Sequence, residues 1–138
     1  MFYERIQVNK SGLLMLILYT LILSACNANP PSIISYDALP ATGDIERGAA
    51  LFSQQINLAP PCFACHNETA AASPALAGFG ERAGTRVEGQ DAREYAFYSI
   101  VEPGRFIVEG FGNAMYNQYD ENLSPQEIAD LIAYLLSL

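Results

Sequence analysis

Apolar and polar positions along this chain change pattern several times. Residues 12–25 form a mostly apolar run, preceded by Arg5 and Lys10 and closed by Cys26. Residues 27–41 show little periodicity and contain Pro30, Pro31 and Pro40, the composition of a stiffened linker. Apolar positions then recur at helical spacing. Over residues 42–55, Thr42 or Asp44 can cap a helix whose stripe is Ile45, Gly48, Leu51 and Phe52. A second helix fits residues 92–101 and stops before Glu102-Pro103, because proline disfavours helix in the residue preceding it. The third has the strongest signature. Ser124-Pro125-Gln126-Glu127 reads as a capping box with proline at the first helical position. Ile128, Leu131, Ile132, Leu135 and Leu136 then form one apolar face.

Glycine and proline dominate the segments between these helices, with Gly78, Gly80, Gly84 and Gly89 in one loop and Gly104, Gly110 and Gly112 in another. Residues 105–109 suit a brief extended stretch, but nothing pairs with them convincingly. The expected fold class is therefore all-α, with three main helices joined by Gly/Pro-rich loops. Three helices make a thin core for residues 42–138, so something besides side chains is expected to fill it.

The N-terminal run is about 14 residues, short of the roughly 20 that span a bilayer. A basic start, a short apolar core and small residues before the break read as a secretory signal. Leu23-Ser24-Ala25-Cys26 resembles the lipobox of bacterial lipoproteins, in which the cysteine is lipidated and becomes the mature N-terminus. An uncleaved short anchor with an incidental cysteine is the competing reading. Residues 1–25 are thus expected to be a signal peptide and 26–41 a lipid-anchored linker. The remainder would face the extracytoplasmic side of a bacterial membrane.

Charge narrows the function classes. The chain holds 7 Lys+Arg against 15 Asp+Glu, a net charge of −8, which argues against nucleic-acid binding. Cleavage before Cys26 would leave five arginines, fourteen acids and no lysine, a net charge of −9. Met115 would be the sole remaining methionine.

The candidate chemistry lies at Cys62-Phe63-Ala64-Cys65-His66. Cys-x-x-Cys-His is the attachment signature of c-type haem. Two thiols on a tight turn add across the two vinyl groups, and the adjoining imidazole then sits beneath the iron as an axial ligand. Three other readings compete. A thioredoxin-like pair needs a βαβ setting that is missing here, and structural zinc needs a fourth ligand. A plain Cys62–Cys65 disulfide leaves His66 unexplained. For the other face of the iron, Met115 is the candidate: a soft thioether, 49 residues after the chain's only histidine. A core-filling methionine is the alternative. Arg82, Arg86 and Arg105 are candidates for pairing haem propionates.

With these motifs in place, residues 43–138 resemble the monohaem class I c-type cytochromes. Gly48 and Phe52 on the first helix, with Leu131 and Tyr134 on the last, match that family's crossed-helix contact. Pro74-Ala75-Leu76 matches its Pro-x-Leu pocket segment. The resemblance implies that the Pro74 carbonyl orients His66 through Nδ1 and that Leu76 packs on the haem. The run from Tyr95 through Ser99, Val108 and Gly110 to Met115 further resembles membrane-associated members, such as cytochrome domains attached to oxidase subunits. Two departures stand out. Tyr116 follows Met115 where the family usually has proline, implying a less rigid ligand loop, and the lysine ring of many soluble members is absent.

The function so implied is electron transfer by one haem c with His66 and Met115 as axial ligands, in a tethered carrier or a subunit of an electron-transport complex. Redox partners with basic patches would suit the acidic surface. The alternative is a haem enzyme or gas sensor, such as a peroxidase, with a displaceable methionine. Multi-haem peroxidases need further Cys-x-x-Cys-His motifs, and the chain has one.

Overall fold

A computed structural model describes residues 32–67, 69 and 71–138. Residues 1–25, expected to be a signal peptide, and Cys26 lie outside the described residues. Five helices follow in order: α1 (Ile45–Ser53), α2 (Phe79–Ala83), α3 (Ala92–Val101), α4 (Tyr119–Asn122) and α5 (Pro125–Leu136). Two 3₁₀ turns, Tyr36–Ala38 and Cys62–Ala64, complete the regular structure of the described residues. Among the described residues there is no strand, only an isolated bridge between Ile56 and Ala59. Residues 105–109 form no strand, in keeping with the lack of a pairing partner in the sequence.

Local chemistry accounts for the helix ends. The Asp44 side chain accepts from the Arg47 N–H, and Asp91 accepts from that of Glu94. At α5 the capping box forms in full: Ser124 meets the Glu127 N–H while Glu127 reaches back to the Ser124 N–H. The first helix starts three residues later than its sequence suggests. The Asp44 N–H donates to Asp130 Oδ1 at 2.8 Å, which keeps the chain extended up to the cap. Ile45, assigned to the apolar stripe, is instead half-exposed at the first helical position.

The core lies where α1 crosses α5, with α2 and α3 packed on α5 and α4 packed on α3. Ile128, Leu131 and Ile132 of α5 are almost completely buried beside Phe52 of α1 and Phe97 of α3. The Phe52 and Tyr134 rings meet at 5.3 Å. Buried residues lie all around α3 rather than along one stripe, because Tyr95 and Ile100 face a cavity while Phe97 meets Tyr36 of the N-terminal segment.

That N-terminal segment revises the expected domain boundary at residue 42. Residues 32–41 are a strap packed onto the helices, not a free linker. Leu39 is buried, the Tyr36 ring meets that of Phe97 at a tilt with centroids 5.5 Å apart, and Arg93 donates to the Pro40 carbonyl at 2.5 Å. The Ile33 N–H donates to Asp120 at 2.8 Å. Ile34, Tyr36 and Leu39 are spaced too irregularly to register as a helix or strand. Their apolar surface is covered by α3 and its neighbours all the same. Among the described residues no helix is long and apolar enough to cross a membrane.

Candidate functional site

The site grows out of a tight turn. Pro61 precedes the 3₁₀ turn Cys62–Ala64, and the Cys62 carbonyl accepts from the N–H groups of both Cys65 and His66, at 3.2 and 2.9 Å. Asn67 Nδ2 satisfies the next two carbonyls, those of Phe63 and Ala64, each at 3.3 Å. The Ser73 hydroxyl donates to the Cys65 carbonyl. This geometry turns Cys62, Cys65 and His66 onto one wall of a cavity of about 410 Å³. Cys62 and Cys65 are not joined to each other.

The rest of the cavity is built by distant parts of the chain. Phe52, Ile100, Leu131 and Leu135 supply an apolar floor from α1, α3 and α5. Pro74 and Leu76 line it from the segment before α2, and Met115, half-buried, lines it from the loop before α4. Gly78 makes the turn into α2 in a left-handed conformation, at φ +68°. The Pro74 carbonyl lies 3.3 Å from His66 Nδ1, which assigns the proton to that nitrogen and leaves Nε2 as a lone-pair donor. Burial pushes the His66 pKa down and the Pro74 contact opposes this without cancelling it. The imidazole is therefore neutral at pH 7, the form a metal requires.

Burial also raises the Cys62 thiol, with the Tyr119 hydroxyl pulling the other way. Tyr119, buried in α4, lines the same cavity and donates to the Pro60 carbonyl at 3.1 Å. Its own pKa moves well up, by burial first and by its cysteine neighbours second, so it stays protonated. Sequence reasoning missed Tyr119, Asn67 and Ser73. Only asparagine and serine beside a tight turn gave a signal, since such side chains bond nearby main-chain groups.

Of the three arginines considered for propionates, Arg82 and Arg86 line the cavity. Arg82 also donates to the Ala77 and Ala75 carbonyls, at 2.6 and 3.0 Å. Arg105 belongs elsewhere. Its guanidinium lies 3.6 Å from the centroid of the Tyr98 ring and 3.5 Å from Glu102, because the Pro103-Gly104 turn folds it back onto the end of α3.

The residues fit a covalently held macrocycle. Two unpaired thiols, one neutral imidazole and one thioether share a cavity whose surface is otherwise largely apolar, of the size typical of cofactor sites. Among the described residues, no three His, Cys, Asp or Glu side chains converge as a metal cage would. The cytochrome c family model matches residues 45–138. The chain belongs to the cytochrome c family. No curated protein and no solved structure matches it. Membership brings a haem c bound through a Cys-x-x-Cys-His segment, here residues 62–66, and haem-based electron transfer as the general function.

Proposed function

We propose that this cytochrome is a single-haem electron carrier in which Cys62 and Cys65 form the thioethers and His66 and Met115 are the axial ligands. The observation that carries this reading is the convergence of all four side chains on one apolar cavity. The haem, when bound, supplies an iron that gains and loses one electron. Pro74 holds the His66 ring and its tautomer. Leu76, Phe52, Ile100 and Leu131 exclude water from the cavity and keep its dielectric low. Met115 is the ligand this reading assigns to the second position, because no second histidine and no lysine follows Cys26. Its thioether favours the reduced metal and raises the potential above that of a bis-imidazole site.

Cys26 is the proposed lipid anchor, placing the domain on the extracytoplasmic face of a bacterial membrane. There it acts as a tethered carrier or as the haem subunit of an electron-transport complex. The acidic surface suits redox partners with basic patches.

A pyridine haemochrome spectrum counts the haem and its thioethers. The oxidised protein is expected to show the weak long-wavelength iron–sulfur charge-transfer band, and Met115→Leu to abolish it, lower the potential and speed cyanide binding. An intact band with an unchanged potential in Met115→Leu would refute the ligand assignment. A five-coordinate spectrum in the unmodified protein would instead favour an enzyme or a gas sensor.

A further inference from the structure

Two segments border the cavity on either side of the haem ligands: the loop before Cys62 and the stretch after Met115. They are joined by side chains that the attachment motif does not use. The Leu58 N–H donates to Asn122 Oδ1 at 3.1 Å, and Asn57 Nδ2 donates to the Asn122 carbonyl at 3.0 Å. From the same side chain, Asn122 Nδ2 donates to the Gln118 carbonyl at 2.8 Å and to the Tyr116 hydroxyl oxygen at 3.2 Å. A little further in, Tyr119 donates to the Pro60 carbonyl at 3.1 Å while its ring stands edge-on to Tyr116, centroids 5.1 Å apart.

The loop is shaped to take part. Ile56 and Ala59 exchange main-chain hydrogen bonds of 3.2 and 2.9 Å, and Asn57 sits at φ +53°, a left-handed conformation that asparagine tolerates better than most residues. That turn offers Asn57 Nδ2 and the Leu58 N–H to the same partner. Opposite it, the Met115 loop has little internal restraint. Gly110 and Gly112 precede the methionine, and Tyr116 occupies the position where a proline ring would fix the backbone. Between residues 108 and 118 the local main-chain bonds are Phe111 N to Val108 O at 3.1 Å and Ala114 N to Gly112 O at 3.0 Å, both before Met115. Beyond Met115 the chain is tied to the loop before Cys62 by three bonds: Leu58 N–H to Asn122 Oδ1, Asn57 Nδ2 to the Asn122 carbonyl, and Tyr119 to the Pro60 carbonyl.

We propose that Asn122, with Asn57 and Tyr119, forms a clasp that fixes the Met115 segment to the Cys62–His66 segment and so governs how readily Met115 leaves the iron. Asn122 is its central positioning residue. The proposal rests on Met115 being the axial ligand. Ligand exchange then requires the loop to open, and each clasp bond lowers the open population. One hydrogen bond is worth about a two- to tenfold change in such an equilibrium.

The test is cyanide association to the oxidised holoprotein, read with the long-wavelength iron–sulfur band. Asn122→Ala removes three of these bonds and is expected to speed cyanide binding about tenfold. Tyr119→Phe keeps the ring and should speed it about threefold, and it carries the test if Asn122→Ala fails to fold. Gln126→Ala is the control. It deletes bonds to Asp130 and to the Thr42 carbonyl, remote from the cavity, and should lower stability without changing the cyanide rate. Wild-type rates in both clasp variants, with the band present in the wild type, would overturn the clasp alone. Equal acceleration by Gln126→Ala would also overturn it, reducing the bonds to general stability. A wild type without the band removes the Met115 assignment and the clasp together.

Discussion

Gly48 of α1 lies with its α-carbon against the main-chain carbonyl of Asp130 in α5, so closely that a β-carbon there would overlap the oxygen. The same β-carbon would stand 2.8 Å from Tyr134 Cβ. The obstacle is helix backbone, which cannot rotate away as a side chain can. Gly48→Ala would therefore push α1 off α5, even though alanine favours helix over glycine by about 1 kcal/mol. Overpacking of this kind costs about 3 kcal/mol. Urea unfolding of the holoprotein should show the loss, and a Gly48→Ala protein as stable as wild type would contradict the crossing geometry.

Asp130 makes the same crossing polar. Its side chain is 3 % exposed and sits 3.0 Å from Arg47 Nε. It also accepts from the Asp44 N–H and from Gln126, each at 2.8 Å. Burial alone would raise its pKa, but these three donors outweigh burial and the net direction is down. A carboxylate depressed in the folded state contributes stability that is present above its unfolded value of about 3.9 and lost as pH falls through the lower folded value. Asp130→Asn should cost about 2 kcal/mol at pH 7. The gap to wild type should close as the solution is acidified below about pH 4. A gap that stays constant down to pH 2 would exclude this linkage.

The range of each interaction decides how legible it was in the sequence. The capping box at Ser124 and Glu127 and the stop before Pro103 are local rules, and both appear where the residues announce them. The Cys62–His66 turn is equally local. By contrast, α2 and α4 are five and four residues long, too short to show a period. Tyr119 and Asn122 reach partners 59 to 65 residues away, which no local pattern encodes. Arg105 illustrates the converse. Its charge suited a propionate, but the turn at Pro103 and Gly104 delivers it to Tyr98 instead.

The strap makes a separate prediction. Leu39 is only 8 % exposed and belongs to the main core cluster, although the chain around it has no regular pattern. Leu39→Ala should thus behave as a core truncation and cost about 2 to 3 kcal/mol. A free linker would tolerate the change with no measurable loss. Equilibrium denaturation of the two proteins decides between them.

The proposed membrane attachment through Cys26 makes its own prediction. Several acyl chains hold a protein stably, whereas a single chain binds only marginally. Cys26→Ser should release the haem protein into the soluble fraction or leave it unprocessed. A processed Cys26→Ser protein that still sediments fully with membranes would point to retention by a partner complex.

The proposed preference for partners with basic patches rests on the sign of the field at the cavity. Arg82 and Arg86 line the cavity and bring two positive charges to it. The two carboxylates of a bound haem c would roughly offset them, so the surplus of acids over the remaining surface sets the potential. From Cys26 onward that surplus is fourteen acids against the three other arginines, a net charge of −11. Small redox reagents of opposite charge can read this field without knowledge of the partner. Electron transfer with a cationic ruthenium ammine should slow as salt rises, because screening shortens from about 10 Å at 0.1 M to about 3 Å at 1 M. Transfer with anionic hexacyanoferrate should quicken over the same range, since salt relieves its repulsion. If the two trends are exchanged, Arg82 and Arg86 outweigh the acidic surface, and the partner would have to present an acidic patch rather than a basic one.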